Sequence, residues 1–262
     1  MTLVKPEISA IVVCFNEKEN IGPCLDSLTW CDEIVVVDSF STDGTVEICR
    51  RYTERVFQRA WMGYRNQKSF AHSKATKEWV ILVDSDERVP PELRAEIQVA
   101  LAKDRNRYVG YSIPRLVYYL GRWWWRGGWY PDYDIRVFRN KLARWGGLDP
   151  HERIYVDGKV RRLVHPLHHY SYRNIGDHLD RVNHFTDLSA RELRECGRRW
   201  HWYDGVIHAP FRFFKSFVWK RGFQEGAAGF FVAATAAFYV FMKYAKLREL
   251  EINRAVKNSR EQ

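Results

Sequence analysis

The sequence is poor in cysteine, and the cysteines it has form no framework. Cys14, Cys24, Cys31, Cys49 and Cys196 are an odd set of 5 with no Cys-x-x-Cys pair. That argues against a disulfide scaffold and against a thiolate zinc site, and buried thiols in a reducing cytosol are expected instead. Residues Met1–Glu7 lack the apolar stretch of a signal peptide, so no secretory leader is expected there. No Gly-x-Gly-x-x-Gly follows the first predicted strand, which disfavours a nicotinamide dehydrogenase. Helix-turn-helix, zinc-finger and RNA-binding signatures are missing as well. There is no internal repeat and no low-complexity segment. The uncharged run near the C-terminus falls short of the ~20 residues that span a bilayer comfortably.

What is present is a chain of 262 residues, 46% of them hydrophobic, enough for one large domain or a domain with an appendage. The formal net charge of +10 points to an anionic partner: a nucleotide, a phospholipid or a nucleic acid. Aromatic residues make up 15%, with 11 Trp. They suit sugar-face stacking and membrane interfaces, and they also fill cores.

The chemistry concentrates where predicted strands stop. Trp79–Val83 is an apolar, β-branched run that reads as a strand covered on both faces. It ends in Asp84-Ser85-Asp86-Glu87, and Pro90-Pro91 then opens a helix. In an open α/β sheet, ligands bind at the carboxyl ends of strands. Paired carboxylates there can hold a hard divalent cation and leave coordination positions for phosphate oxygens. The same pattern also reads as a solvated turn or a helix cap. Ile8–Cys14 predicts the first strand, with Phe15-Asn16-Glu17 as its exit and Asn20 as the cap of the next helix. Glu33–Val37 predicts the second, ending at Asp38, which can accept hydrogen bonds from a ribose or a base N–H or cap the helix that runs to about Tyr52. Arg55–Phe57 predicts a short third strand. The following helix, over 63–75, carries Arg65, Gln67 and Lys68, which either reach a nucleotide or face solvent. This β-α-β-α-β-α-β order implies a mostly parallel sheet with right-handed crossovers.

Beyond residue 103 the texture changes. Tyr108–Pro114 and Ile135–Arg139 read as strands. Between them lies the most aromatic stretch of the chain, Tyr118–Pro131, with Trp129 and the pair Gly127-Gly128. It serves either a sugar and phosphate or a packed loop. In Asp149-Pro150-His151-Glu152-Arg153, Glu152 can remove a proton from an attacking hydroxyl, with His151 as the competing base. Of His165, His168 and His169, the last is the choice to complete a cation's coordination, with a structural histidine as the alternative. Residues 175–196 predict an amphipathic helix. Phe211, Phe213, Phe214, Phe217 and Trp219 then alternate with Arg212, Lys215, Lys220 and Arg221, ahead of the uncharged run Ala227–Met242. These read as interfacial helices on an anionic leaflet, or as helices packed on the core or at a dimer contact. A charged, frayed end is expected from Glu249.

Together, Ile11-Val12-Val13-Cys14-Phe15-Asn16-Glu17, Val35-Val36-Val37-Asp38-Ser39-Phe40-Ser41-Thr42-Asp43-Gly44-Thr45 and Asp84-Ser85-Asp86-Glu87 resemble the family 2 inverting glycosyltransferases of GT-A fold. Gly127–Pro131, Arg136–Arg139, His151-Glu152-Arg153 and His169–Tyr172 are similar to the lipopolysaccharide core β-glucosyltransferases. The resemblance implies an α/β fold: a mostly parallel central sheet with flanking helices, plus C-terminal amphipathic helices. It implies a catalytic domain over 1–174, with a nucleotide-binding half to about 103 and an acceptor half over 104–174, and a membrane-associated extension over 175–262. Asp38 would contact uracil or ribose, with Asn16, Glu17, Arg65 and Lys68 around the nucleotide sugar. Asp84 would hold ribose or metal-bound water, and Asp86 the Mg²⁺ or Mn²⁺ that bridges the diphosphate, with His169 beside it. Glu152 would be the general base, with Trp129, Arg136 and His151 lining the acceptor or sugar pocket. The implied reaction is transfer of a single hexose from a UDP-hexose, by default UDP-glucose, to a lipopolysaccharide inner-core or other lipid-linked acceptor. The implied place is the cytoplasmic face of the inner membrane. Ser39 departs from the family's usual second acid. No Gln-x-x-Arg-Trp signature of processive synthases is found in the helical region. The rival readings are a basic nucleic-acid-binding protein, a nucleotidyltransferase and a nucleotide-sugar hydrolase.

Overall fold

The structure, a computed structural model, describes residues 6–103, 107–147 and 152–260, with side chains as far as Arg254. In chain order the elements are β1 (Ile8–Cys14), α1 (Lys18–Asp26), β2 (Glu33–Asp38), α2 (Thr45–Cys49), β3 (Val56–Gln58), α3 (Tyr64–Lys74), β4 (Trp79–Asp84), β5 (Glu87–Arg88) and α4 (Pro91–Lys103). There follow β6 (Gly110–Tyr119), β7 (Arg122–Trp124), β8 (Asp132–Arg139), β9 (Ala143–Gly146), β10 (Arg153–Val156), β11 (Val160–Arg162) and β12 (Leu167–His169). Three helices complete the chain: α5 (Ile175–Glu195), α6 (Trp202–Phe214) and α7 (Gly226–Arg260).

The chain forms two compact units, Met1–Tyr118 with Pro131–Ser171, and Tyr119–Tyr130 with Tyr172–Gln262. The first is built on a mixed sheet in the order β3-β2-β1-β4-β8-β6-β12-β5. Strands β3, β2, β1 and β4 run parallel, while β8 is antiparallel to both β4 and β6. Alternate residues of β1 feed opposite faces: Ile8, Ala10 and Val12 join one apolar cluster, and Ile11 joins the other. β2 and β4 divide in the same way, with Val36 and Ile81 on one side, Val35 and Val80 on the other. Burial on both faces is why these strands read as unbroken apolar runs.

Several boundaries differ from the sequence expectation. Helix α1 begins at Lys18, so Asn20 lies inside it and donates from Nδ2 to Glu17 Oε2 at 2.8 Å instead of capping. Helix α2 ends at Cys49 and turns take over. Not all thiols are buried: Cys14, Cys24 and Cys49 are, Cys31 is half-buried and Cys196 is exposed.

In the second unit, Tyr119, Trp129, Tyr172 and His178 form an aromatic cluster. His178 stacks on Tyr172 at 4.1 Å, and its Nδ1 lies 3.1 Å from the Tyr119 hydroxyl. Asn174 caps α5 by accepting from the Asp177 N–H at 2.9 Å. Helix α6 is oriented unusually. Its buried residues are Asp204, Gly205 and Ala209, and a side chain at Gly205 would come 3.3 Å from Phe241 of α7. Its large apolar residues Trp202, Val206, Ile207, Phe211 and Phe214 are exposed. Helix α7 does not stop where the uncharged run ends. It continues through Lys243, Lys246 and Arg248 and on to Arg260, where the sequence suggests a frayed end from Glu249. The stretch Gly222–Arg254 is long and apolar enough to cross a membrane, by length and composition.

Candidate functional site

The carboxyl ends of β1, β2 and β4 lie side by side, because the parallel registers pair Cys14 with Asp38 and Val13 with Asp84. The loops that leave them are tied together. Asn16, at φ 53, donates its N–H to Ser41 Oγ at 2.8 Å and accepts from the Thr42 N–H at 2.9 Å. The Glu17 N–H donates to Thr45 Oγ1 at 2.9 Å. Asp38 is fully buried. It accepts from the Ser41 N–H at 2.9 Å, from the Ser41 hydroxyl and from Gln58 Nε2 at 3.3 Å. Asp38 therefore shapes the β2 exit loop, with its oxygens turned inward.

Around Asp84 three distant segments bring charge together. Lys68, from the buried face of α3, places Nζ 2.9 Å from Asp84 Oδ1 and 2.9 Å from Glu152 Oε1. Arg136, from β8, lies 3.3 Å from Asp84 Oδ2 and 2.8 Å from Glu87 Oε1. The second Glu87 oxygen accepts from the Asp84 N–H at 2.9 Å. Arg136 reaches this position through a β-bulge. Tyr111 pairs with Val137 but Ser112 pairs with Ile135, so Arg136 is the extra residue. A bulge of this kind re-aims a side chain, and here Arg136, Val137 and Phe138 are buried in succession.

Burial alone would raise the Asp84 carboxyl. Lys68 and then Arg136 outweigh it and hold that carboxyl well below the usual range. Burial likewise opposes the charged form of Lys68, and Asp84 with Glu152 overcomes it, so Lys68 stays cationic. Glu87 is raised by burial against the pull of Arg136.

Asp86 and His169 meet because the antiparallel pairing of β5 with β12 sets His169 opposite Glu87. Asp86 Oδ2 is 3.3 Å from His169 Nε2. Burial lowers the imidazole, but Asp86 outweighs it and raises His169 overall. An oxygen and a nitrogen donor side by side fit a divalent cation whose other ligands come from phosphate and water. Asp84 fits less well, since each of its oxygens already faces a cationic side chain. Among the described residues no group of three His, Cys, Asp or Glu side chains forms a metal cluster.

The other predicted residues divide as follows. Arg65 places Nη1 3.2 Å from the Gly147 carbonyl oxygen. Trp129 packs in the second unit against Tyr119 and Trp124. His151 lies outside the described residues. Two further residues belong to the network: Glu87, to which the sequence reading gives no role, and Gln67, which it names as reaching a nucleotide or facing solvent. Glu87 is a third acid after Asp84 and Asp86, and its place beside a bulged arginine has no local signature. Gln67, buried, donates to Ser39 Oγ at 2.9 Å and to the Arg59 carbonyl oxygen at 3.1 Å, anchoring α3 to the β2 exit.

The family model for glycosyl transferase family 2 matches residues 9–164, a span that holds most of the sheet and its strand-end carboxylates. The chain belongs to glycosyl transferase family 2. Its fold is the GT-A type, a mixed α/β sheet followed by C-terminal helices. Among curated relatives of this family 2 chain, it is 31% identical over 256 residues to the lipopolysaccharide core biosynthesis glycosyltransferase LpsC of Rhizobium meliloti, covering 93% of this chain and 92% of that one. It is 30% identical over 257 residues to an uncharacterized glycosyltransferase of Rickettsia typhi, covering 94% and 88%. Among solved structures it is similar to S. aureus TarS 1–349 in complex with UDP-GlcNAc, at 16% identity and TM-score 0.49, covering 96% of this chain and 92% of that one. It is also similar to glucosyl-3-phosphoglycerate synthase from Mycobacterium tuberculosis in complex with Mg²⁺ and UDP, at 17% identity and TM-score 0.47, covering 74% and 80%.

Proposed function

We propose that this glycosyltransferase moves one hexose, glucose from UDP-glucose, to a lipopolysaccharide inner-core or related lipid-linked acceptor by an inverting single displacement. The observation that carries the reading is the meeting of Glu152 with the β4 carboxylate through one lysine ammonium, 2.9 Å from each. That puts a base candidate at the strand end where a GT-A fold takes its donor. Glu152 Oε2 has no hydrogen-bond partner among the described residues, which leaves it to accept the proton of an acceptor hydroxyl. The hydroxyl oxygen then bonds to the anomeric carbon as the bond to the diphosphate oxygen breaks, and the electron pair leaves with the nucleoside diphosphate. Asp38, Asn16 and Glu17 order the loops that enclose the nucleotide, and Asp84 addresses its ribose. Asp86 and His169 would hold Mg²⁺ or Mn²⁺, which when bound offsets charge on the departing diphosphate.

The acceptor class rests on the similarity to LpsC, a lipopolysaccharide core biosynthesis glycosyltransferase along most of its length. Residues 1–174 form the catalytic domain in this reading and 175–262 an extension that docks on the membrane from the cytoplasm. The outward apolar face of α6, followed by exposed Arg212, Lys215, Lys220 and Arg221, supports an anionic leaflet as that surface. No nucleic-acid partner is proposed.

The test offers purified protein a panel of nucleotide sugars with truncated lipopolysaccharide, with and without Mn²⁺, and reads the product by mass spectrometry. One added hexose from UDP-glucose is expected. Glu152→Gln should lose transfer by roughly 10²–10⁴-fold while still binding UDP. Sugar release at the same rate with no acceptor present would make the protein a hydrolase and overturn the reading.

A further inference from the structure

Lys68 sits on a nucleotide-binding fold, and a lysine there invites assignment to the donor phosphates. Its surroundings say otherwise. The residue is 9% exposed, and its ammonium is shared between Asp84 Oδ1 and Glu152 Oε1 at 2.9 Å each. Two carboxylates already balance its charge, so a diphosphate would have to displace Asp84, which would keep Arg136, or Glu152, which would be left without its cation. Its neighbour Gln67 is pinned to Ser39 and Arg59, which fixes this turn of α3 against the sheet. Among the described residues Glu152 is held by Lys68 through Oε1, while Oε2 is buried and unpartnered.

We propose that Lys68 is the positioning residue of the base: it fastens Glu152 Oε1 to the strand-end carboxylate and so leaves Oε2 to take the acceptor proton. This rests on the assignment of Glu152 as base. Lys68 is not a phosphate ligand in this arrangement, and its removal disturbs the chemical step more than donor binding. The carboxylate-lysine-carboxylate chain also links the donor end of the sheet to the base, so the two halves of the reaction share one fixed reference.

The experiment compares Lys68→Met, Lys68→Arg, Glu152→Gln and Lys68→Met/Glu152→Gln. It measures kcat at saturating donor and acceptor, and UDP affinity by calorimetry. Lys68→Met should lower kcat roughly 10²-fold with UDP affinity within about threefold of the parent. Lys68→Arg keeps the charge, and with it the fold if Met does not. It should bind UDP normally and recover part of kcat, because its planar fork displaces Oε1. Residues acting through one another are not additive, so the double variant should be no slower than Glu152→Gln alone. UDP affinity weakened tenfold or more in Lys68→Met or Lys68→Arg, with kcat kept, would place Lys68 on the diphosphate and overturn the proposal. Multiplied losses in the double variant would overturn it while leaving Glu152 as base. Full activity in Glu152→Gln would overturn the base assignment itself, and this inference with it.

Discussion

The sharpest stability prediction concerns Arg136→Met, which keeps most of the stem volume and deletes the charge. Two regimes compete. An exposed ion pair is worth under about 1 kcal/mol, whereas removing one partner of a buried pair costs about 3–5 kcal/mol, because a carboxylate is left behind without its cation. The structure decides between them. Arg136 is 3% exposed and Glu87 is 0% exposed, with 2.8 Å between the charged atoms. Asp84 keeps Lys68 in the variant, whereas Glu87 loses its one directly bonded cation and keeps the Asp84 N–H, with the charges of His169 and Arg115 acting from farther off. The larger cost therefore applies, and it falls on Glu87. Protonation is the one escape. Burial already raises Glu87, and losing Arg136 raises it further. A carboxyl raised in the folded state loses stability as pH climbs past its unfolded value. The deficit should accordingly be largest near neutrality and shrink toward pH 4–5. Urea unfolding at several pH values, with hydrogen exchange read on peptides from β4 and β8, isolates the first unit. Arg136→Met/Glu87→Gln should recover most of the loss. A deficit below about 1 kcal/mol at neutral pH, or no recovery in the double variant, would refute the buried-charge argument.

Asp86→Ala should remove most transfer and also the extra thermal shift that Mn²⁺ adds to UDP; an unchanged Mn²⁺-dependent shift would take Asp86 out of cation binding. His178, held down to about 4 by burial against an ordinary 6.5, stays neutral in the fold while the unfolded chain takes up a proton. Stability of the second unit should then fall as pH drops from 6.5 toward 4, by at most about 3 kcal/mol. His178→Gln should flatten that slope in hydrogen exchange of α5 peptides, and an identical slope would remove His178 as its source. Trp202→Ser with Phe211→Ser should weaken retention on vesicles containing anionic phospholipid by roughly tenfold or more, given ~1.5–3 kcal/mol per large apolar side chain buried. Equal retention would separate the α6 face from membrane docking.

Much of the fold was legible because its signals are local. Ile8–Cys14 was readable residue for residue, and Glu33–Asp38 and Trp79–Asp84 nearly so, since strands buried on both faces cannot afford charge. The second and third end at a carboxylate, which singles out Asp38 and Asp84. The tail was harder. Runs of Phe and Ala show that a helix forms without showing which face turns outward. In α6 it is the small residues, Gly205 and Ala209, that pack, inverting the usual rule that the largest apolar residues go inside. The aromatic stretch Tyr119–Tyr130 groups with the C-terminal helices, a long-range association with no local cue.

The cations were the least legible part of the site, and the reason is physical. A carboxylate at a strand end can be located from its own strand, because the apolar run before it fixes where the strand stops. The lysine or arginine that neutralises it comes from another element, and its own neighbours do not name its partner. Arg136 is 52 residues from Asp84 and Lys68 is 84 from Glu152. Arg136 reads as an alternating strand residue until the bulge at Ser112 turns it inward. Lys68 reads as a helical residue that either reaches a nucleotide or faces solvent, until α3 is laid on the sheet with Gln67, Lys68 and Ala71 buried. A basic residue buried among acids is stable only because those acids are there. Its role is therefore a property of the assembled sheet edge, and charge counting along the chain assigns it by default to an external anion.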